Sequence, residues 1–241
     1  AYNNRGVSKQ KLKDYKGAVV DFTKAIEQGP NVFTLKKVSS LAVSYINRGY
    51  AKHCLKDYDG AIDDYNIAIE IYPNYASAYC NRGISKQKLK DYKGAIVDFT
   101  KAIEKGSNVY ALEKGYVYTF EKLPNLAIAY VNRGNSKIDL KDYKGAINDY
   151  NKAIELDSNY ALAYYNRGFL KKKIKDYVGA IDDYNKAIEI DPNDAEVYLN
   201  IGILKFNLYL GDHCNDFKKA CDLGLCKYYN QWCNTSNPEA R

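Results

Sequence analysis

The feature that most constrains the fold of this chain is an internal repeat of 34 residues. The tripeptide Asn-Arg-Gly, or Asn-Ile-Gly in the last copy, marks each unit, and Asp-Tyr follows in the first five units. The marker glycines are Gly6, Gly49, Gly83, Gly134, Gly168 and Gly202. The intervals after the first and third units are longer, so these units are followed by inserts. A repeat of this period predicts a solenoid whose stacked units share one continuous core.

Each of the first five units also carries a small–aromatic–small stripe with spacings of four and three residues, as in Ala95, Phe99 and Ala102. This spacing places the three side chains on one face of a helix. With an aromatic residue at the start of each first helix, the pattern resembles the tetratricopeptide repeat, which is a helix–turn–helix unit. The resemblance implies an all-α fold, a right-handed α-α superhelix of about six helix pairs.

The resemblance divides the chain into a solenoid over residues 1–211 and a Cys-rich helical cap and tail over residues 212–241. In the first insert, apolar residues continue at helical spacing, so we expect the next helix to begin early. The second insert contains Gly115–Phe120, which predicts either a short extended segment or an extra turn. The repeats are expected near residues 1–32, 43–75, 76–109, 127–160, 161–194 and 195–223, with inserts at 31–42 and 107–125.

An arginine precedes the marker glycine in five units, and an aspartate follows that arginine after sixteen residues each time. The arginine belongs to the first helix of the unit and the aspartate to the second. We therefore expect half-buried ion pairs that set the register of each helix pair more than they stabilise it. The pairs are Arg5 with Asp21, Arg48 with Asp64, Arg82 with Asp98, Arg133 with Asp149, and Arg167 with Asp183.

An asparagine stands two residues before the marker glycine in every unit, at Asn4, Asn47, Asn81, Asn132, Asn166 and Asn200. In the tetratricopeptide family this position lines the concave surface, and the row resembles the asparagine ladder in the repeat domain of O-GlcNAc transferase, which holds a peptide backbone. A primary amide offers two donors and an acceptor, so it can pair with the main chain of any sequence. The alternative is that these amides bind only water or their own scaffold.

The residue after the marker glycine varies, and Tyr50, Asn135 and Phe169 are the candidates for contacting ligand side chains. A turn later, Gln10, His53 and Gln87 are also expected to line this face. Family members that bind chaperone tails use a basic clamp, but its lysine position is occupied here by Asn3, Ile46, Cys80, Val131 and Tyr165. An acidic C-terminal peptide is therefore not the expected ligand.

Four of the six cysteines lie at the end of the chain, in the pattern Cys-x6-Cys-x4-Cys-x6-Cys. If two antiparallel helices meet at Gly224, Cys221 faces Cys226 and Cys214 faces Cys233. Two disulfides are the preferred interpretation, and other connectivities stay open. A four-cysteine zinc site fits badly, because seven helical residues separate Cys214 from Cys221 by about 10.5 Å.

Pairing of these cysteines would place the chain in an oxidising extracytoplasmic compartment, periplasmic or secreted, whereas reduced cysteines would indicate the cytoplasm. The other two, Cys54 and Cys80, are expected to be free thiols. The stretch from Asp216 to Gly224 also resembles the closing unit of Sel1-like bacterial repeat proteins.

Composition excludes several function classes. The chain has two histidines, neither placed to form a dyad with its neighbouring cysteine, and it lacks phosphate-loop, metalloprotease and nucleophile-elbow motifs. We therefore expect no catalytic activity, no cofactor and no metal. The net charge of +7 comes without a recognition motif, so nucleic-acid binding is not expected. No apolar run is long enough for a membrane span.

Two functions remain open. The first is a non-catalytic scaffold that binds an extended peptide or partner segment in its concave groove. The alternative is a structural protein whose solenoids assemble end to end into a larger oligomer or filament. The chain has no methionine and opens at Ala1 inside a repeat. This predicts either that preceding residues have been removed or that another chain covers an uncapped N-terminal edge.

Overall fold

The computed structural model describes residues 1–29, 35–112 and 126–233, and thirteen helices form all the regular structure of these residues. The first six are α1 (Tyr2–Lys11), α2 (Tyr15–Glu27), α3 (Leu35–Cys54), α4 (Tyr58–Ile71), α5 (Ala76–Lys88) and α6 (Tyr92–Leu112). The other seven are α7 (Leu126–Asp139), α8 (Tyr143–Leu156), α9 (Ala161–Lys173), α10 (Tyr177–Ile190), α11 (Ala195–Asn207), α12 (His213–Asp222) and α13 (Lys227–Trp232).

The chain divides into two compact units, Ala1–Asp142 and Tyr143–Arg241. Within each unit, helices that follow one another along the chain pack against each other. Odd-numbered helices from α1 to α11 are the first helices of the repeats, and the even-numbered helices are the second. The predicted all-α fold built from repeated helix pairs is confirmed. Among the described helices, none combines the length and apolar character that crossing a bilayer requires.

One buried aromatic ring packs against the marker glycine in each helix pair that lies within a single unit. Phe99 is fully buried, and a Cβ atom on Gly83 would lie 2.8 Å from the Cε1 atom of this ring. Glycine is therefore required at this point for the two helices to approach so closely. The equivalent rings, all fully buried, belong to Phe22, Tyr65, Tyr150, Tyr184 and Phe217. Burial of each ring contributes about 1.5–3 kcal/mol to the core.

Both inserts lengthen helices. As predicted, the helix after the first insert begins early, because α3 runs for 20 residues from Leu35 into the second repeat. Helix α6 extends to Leu112 and has 21 residues. The alternatives predicted for Gly115–Phe120 concern residues outside the described part of the chain.

The last helices form an aromatic cap on the final repeat. The ring of Trp232 on α13 stacks on Phe206 of α11, with centroids 4.5 Å apart and an interplanar angle of 4°. Phe217 of α12 packs against Gly202. The structure pairs Cys214 with Cys233 and Cys221 with Cys226, at Cα–Cα distances of 5.5 and 3.9 Å, and it leaves Cys54 and Cys80 unpaired.

Two of the buried core tyrosines have hydroxyl groups that form no hydrogen bond with the described residues around them. The hydroxyls of Tyr65 and Tyr184 are buried and have no hydrogen-bond partner in the part of the chain that the structure describes. Burial raises the pKa of both phenols. We expect Tyr65→Phe to raise the free energy of unfolding by about 1 kcal/mol, because it removes an unpaired buried polar group. Urea denaturation followed by circular dichroism measures this change.

The matched control is the reverse substitution in the next repeat. Phe99→Tyr adds a buried hydroxyl where the structure holds a bare ring, so it should lower the free energy of unfolding by about 1–3 kcal/mol. If Tyr65→Phe lowers the free energy of unfolding instead, the Tyr65 hydroxyl of the wild-type chain must have a hydrogen-bond partner, such as a buried water molecule.

Candidate peptide-binding face

The candidate site lies on the first helices of the repeats. In the first unit α1 contacts α3, α3 contacts α5, and α5 contacts α7. The asparagines that precede the marker glycines occupy the same register on each first helix, and we call Asn4, Asn47, Asn81, Asn132, Asn166 and Asn200 the amide row. Asn4 is exposed, and the other five are partly buried.

Five members of the amide row keep their side-chain amides available. Apart from Asn200, none of the six makes a side-chain hydrogen bond to any residue in the described ranges. At Asn4, Asn47, Asn81 and Asn132, the hydrogen bonds that other side chains make are to the backbone carbonyl. The amides of these five residues are therefore free to pair with a ligand.

Asn200 differs from the rest of the row. Its Nδ2 atom donates to the Glu196 carbonyl at 2.9 Å, and its Oδ1 atom accepts from Lys172 Nζ at 2.5 Å. Both sides of this amide are thus occupied by the protein itself. Asn200 was predicted as a ligand contact, and the structure gives it a role in joining α9 to α11 instead.

The residues predicted to contact ligand side chains lie three positions beyond the amides, on the same helix face. Tyr50 is 45% exposed and Phe169 is 42% exposed, whereas Asn135 is partly buried. The pKa of Tyr50 is raised, first by a hydrogen bond with the Cys54 thiol. Lys172 Nζ lies 5.1 Å from the centre of the Phe169 ring. The first compact unit thus presents the exposed ring of Tyr50 next to its amides, and the second presents that of Phe169.

Three of the five positions that correspond to the basic clamp are buried. Ile46, Cys80 and Val131 are buried, and burial raises the pKa of the Cys80 thiol to about 12. These side chains cannot supply a positive charge to a ligand.

Three side chains that were expected to line the face join neighbouring first helices instead. They are polar and reach across to the next repeat, where each meets a backbone carbonyl or a hydroxyl. The contacts are Gln10 Nε2 to the Asn47 carbonyl (2.8 Å), Gln87 Nε2 to the Asn132 carbonyl (2.9 Å), and His53 Nδ1 with Ser85 Oγ (2.9 Å). These polar groups are therefore engaged within the protein, and whether they also contact a ligand stays a prediction.

The predicted Arg–Asp pairs form the polar interior of the repeats. Arg82 Nε and Nη2 donate to the two carboxylate oxygens of Asp98 at 3.0 and 2.6 Å. Lys86 Nζ lies 2.9 Å from the same carboxylate, and Arg82 Nη1 donates to Asn66 of the preceding repeat at 2.7 Å. The Arg82 guanidinium lies 5.5 Å from the Tyr79 ring centre. One arginine therefore connects two repeats.

The same bidentate pairing recurs in three further repeats: Arg5 with Asp21, Arg48 with Asp64, and Arg167 with Asp183. Arg133 and Asp149 belong to different units, and their pairing stays a prediction. Arg5, followed by Lys9, holds the pKa of the Asp21 carboxyl well below its usual range. Because this pKa is lowered, the stability that the Asp21 carboxylate contributes is present near neutral pH. It is lost only as the pH falls below the usual aspartate range.

The lysine in this network was missed at the sequence level, although the repeat contains the signal for it. A lysine stands three residues after the marker glycine in each of the four repeats, at Lys9, Lys52, Lys86 and Lys171. The partner on the preceding repeat also recurs, as Thr23, Asn66, Thr100 and Asn151. Recurrence at the repeat period would have identified both positions.

One group in the cap has the composition of a metal site. The possible ligand atoms of His213, Cys214 and Cys233 lie within 4.8 Å of one another. The two sulfurs are bonded to each other, so neither is available as a thiolate ligand. The group therefore does not fit a metal in this state.

Comparison with protein families matches most of the repeats. Models described as TPR repeat match residues 49–90 and 134–175. Models described as tetratricopeptide repeat match residues 1–31, 76–107 and 161–194. The matched segments cover more than half of the chain and end before the cap, so the Sel1-like resemblance of the cap stays a prediction. A search of curated proteins found no significant match.

Similar solved structures include MamA, which is 26% identical and covers 73% of this chain and 93% of its own, with a TM-score of 0.59. YrrB, described as a TPR protein with an unusual peptide-binding site, is 22% identical. The match covers 86% of this chain and 94% of YrrB, with a TM-score of 0.57. PilF of Pseudomonas aeruginosa is 18% identical. The match covers 94% of this chain and 89% of PilF, with a TM-score of 0.69. The last two show likeness of fold alone.

Proposed function

Because this chain belongs to the tetratricopeptide repeat family, we propose that it is a non-catalytic scaffold that binds an extended segment of a partner protein along the part of the amide row that lies in the first unit. The observation that carries the proposal is the state of Asn47, Asn81 and Asn132. These three residues are partly exposed, and their side-chain amides make no hydrogen bond within the described residues. By contrast, the neighbouring Arg48 and Arg82 are fully engaged inside the repeats.

The spacing of these amides suits an extended chain. Packed helices lie about 8–10 Å apart, and a strand rises about 3.3 Å per residue, so consecutive amides would meet every third residue. Each amide can donate to a carbonyl and accept from an N–H group of the ligand backbone. Recognition of this kind depends on the extended conformation more than on the sequence of the partner.

The surroundings of the row favour an uncharged ligand segment. In the first unit, the first-helix cations Arg48, Lys52, Arg82 and Lys86 are paired with buried aspartates. Tyr50 offers an exposed ring beside the amides. We therefore expect binding to depend weakly on salt and to prefer a segment with an apolar side chain opposite Tyr50.

The cysteines support an extracytoplasmic location for this scaffold. Four of the six are paired in two disulfides in the cap. Disulfides persist in the periplasm and outside the cell, and they are rare in the cytosol. The proposed partner segment would accordingly belong to a periplasmic or secreted protein.

The decisive experiment uses peptides selected from a displayed library of unstructured sequences. We expect Asn47→Ala/Asn81→Ala to raise the Kd of a selected peptide about thirtyfold, because two neutral hydrogen bonds of about 1 kcal/mol each are lost. Calorimetry on the intact chain measures the Kd. N-methylation of the peptide backbone should weaken binding to the wild-type chain in the same way.

Asn185→Ala/Asn215→Ala is the matched control, because both of these asparagines are exposed on helices outside the row. This control should leave the Kd unchanged. Failure to select any peptide, or equal Kd values for the row variant and the wild type, would overturn the proposal. Light scattering over a concentration series tests the alternative, since end-to-end assembly would raise the apparent mass with concentration.

A further inference from the structure

The cap brings three potential metal ligands together at one place. His213 and Cys214 are the first two residues of α12, and Cys233 directly follows α13. A ring nitrogen of His213 and the two sulfurs lie within 4.8 Å of one another, and all three residues are partly buried. We call these three residues the cap triad. Among the residues that the structure describes, no other group of histidine, cysteine or acidic side chains comes together in this way.

The imidazole of His213 is oriented by aromatic neighbours and by one hydrogen bond. The ring centres of Phe206 and Phe217 lie 5.3 and 6.0 Å from that of His213. Nδ1 of the imidazole lies 3.4 Å from the Leu210 carbonyl, which can only accept, so the hydrogen of the neutral ring is on Nδ1. Metal-binding histidines commonly donate one ring N–H to a carbonyl, because this orients the ring and leaves the lone pair of the other nitrogen to the metal.

Contacts other than the disulfide hold the two cysteines of the triad opposite each other. Trp232, next to Cys233, stacks on Phe206 of α11 with ring centres 4.5 Å apart. The same tryptophan ring lies 5.7 Å from the ring centre of Phe217, which is on α12 with Cys214. The Cα atoms of the two cysteines are 5.5 Å apart. Because the aromatic contacts do not involve sulfur, we expect the opened disulfide to leave two thiols facing each other beside the imidazole.

We propose that reduction of the Cys214–Cys233 disulfide converts the cap triad into a zinc site. A dithiol gives two electrons and two protons to the S–S bond, which breaks into two thiols while the dithiol closes to its own disulfide. Zn²⁺ then displaces both thiol protons, which pass to water, and binds the two thiolates and the His213 imidazole. Sulfur and imidazole nitrogen are preferred zinc ligands, and three protein ligands leave the fourth tetrahedral position open to water. The cap thus holds either a disulfide or a metal, according to its redox state.

The other disulfide of the cap lacks a third ligand. Cys221 and Cys226 belong to no group of three potential ligands within the described ranges. When the chain is reduced, this pair also gives two thiols, but no histidine lies beside them to complete a site. The inner pair is therefore the matched control for the outer pair, which belongs to the triad.

Zinc titration of the intact chain tests the proposal. The chain is reduced with a dithiol, the dithiol is removed by gel filtration under nitrogen, and Zn²⁺ is added in competition with a coloured chelator. Reduced Cys221→Ser/Cys226→Ser keeps the triad and should bind one Zn²⁺ as tightly as the reduced wild type. Reduced Cys214→Ser/Cys233→Ser keeps the inner pair and the two free cysteines, and it should bind about a hundredfold more weakly. The oxidised wild-type chain should not compete with the chelator.

His213→Phe separates the contribution of the imidazole from that of the thiols. Phenylalanine keeps an aromatic ring against Phe206 and Phe217 but offers no ligand. The reduced variant should therefore raise the Kd for Zn²⁺ about a hundredfold, since even the outer partners of metal ligands contribute ten- to hundredfold. An unchanged Kd would show that two thiols alone bind the metal, and it would overturn the three-ligand site.

The fluorescence of Trp232 provides a second measurement, which does not depend on the chelator. Zinc bound to the triad joins the start of α12 to the end of α13, as the disulfide does. Adding Zn²⁺ should therefore move the fluorescence transition of the reduced chain to higher urea concentration and leave that of the oxidised chain unchanged. No shift in the reduced chain, or equal zinc affinity in the reduced wild type and reduced Cys214→Ser/Cys233→Ser, would overturn the proposal.

Discussion

Asp98→Ala is expected to lower the free energy of unfolding by about 3 kcal/mol, because it leaves two cations without their buried counter-ion. Asp98 is 1% exposed and accepts from Arg82 at both oxygens, with Lys86 2.9 Å away. The value is at the low end for a broken buried pair, since the side chains of Arg82 and Lys86 remain 18% and 22% exposed. Water can therefore stabilise part of the released charge. Urea denaturation followed by circular dichroism gives the change.

The control is an exposed ion pair on the same helix, α6, with a similar distance between its charged atoms. Lys101 Nζ and Glu104 Oε2 lie 2.9 Å apart, and both side chains are about half exposed. Glu104→Ala should change the free energy of unfolding by less than about 1 kcal/mol, because exposed pairs contribute little. Equal losses in the two variants would show that the Asp98 carboxylate is solvated in solution and does not organise the repeat.

The fold could be predicted because most of the repeats supply the same evidence again. The marker glycine, the buried ring sixteen residues later and the ion pair at the same separation all act within one helix pair, as Gly83, Phe99, Arg82 and Asp98 show. Contacts within a pair depend on spacing along the chain, which a sequence contains directly. Contacts within one helix pair can therefore be predicted from the sequence alone.

Contacts between repeats were harder to predict, because they depend on how one helix pair is rotated on the next. Gln87 was expected to face a ligand and instead donates to the Asn132 carbonyl, 45 residues away. The inserts make such separations irregular, so spacing alone does not show which side chains meet. The Asn66 partner of Arg82 was missed for the same reason.

The amide row shows the same limit at a single residue. Asn200 and Asn47 occupy equivalent positions, two residues before the marker glycine. The contact to the Asn200 side-chain oxygen comes from the preceding repeat, where Lys172 stands at the position that Gln10 holds before Asn47. The lysine reaches the side-chain oxygen of Asn200, whereas the glutamine stops at the backbone carbonyl of Asn47. A ligand site on a solenoid is therefore a property of two adjacent repeats.

Removal of the longer disulfide is expected to destabilise the cap by about 3 kcal/mol, because the bond closes a loop of some twenty residues and so restricts the unfolded chain. Cys214 and Cys233 are 19 positions apart and join the start of α12 to the end of α13. The single tryptophan, Trp232, lies next to this bond and stacks on Phe206. Its fluorescence therefore reports the docking of the cap on the last repeat. We expect Cys214→Ser/Cys233→Ser to shift the fluorescence transition in urea to lower concentration than the circular dichroism transition of the whole chain.

The second disulfide provides the matched comparison, since Cys221 and Cys226 are only 5 positions apart. The same loop-closure relation gives about 2 kcal/mol for Cys221→Ser/Cys226→Ser, so the fluorescence transition should move less.

Alkylation of the denatured wild-type chain tests whether the two disulfides are present: Cys54 and Cys80 alone should react, which gives two labels. Six labels would show that the chain is reduced, and the extracytoplasmic location would then lose its support. Identical fluorescence transitions for an oxidised wild type and both variants would show that aromatic stacking, and not the disulfides, holds the cap.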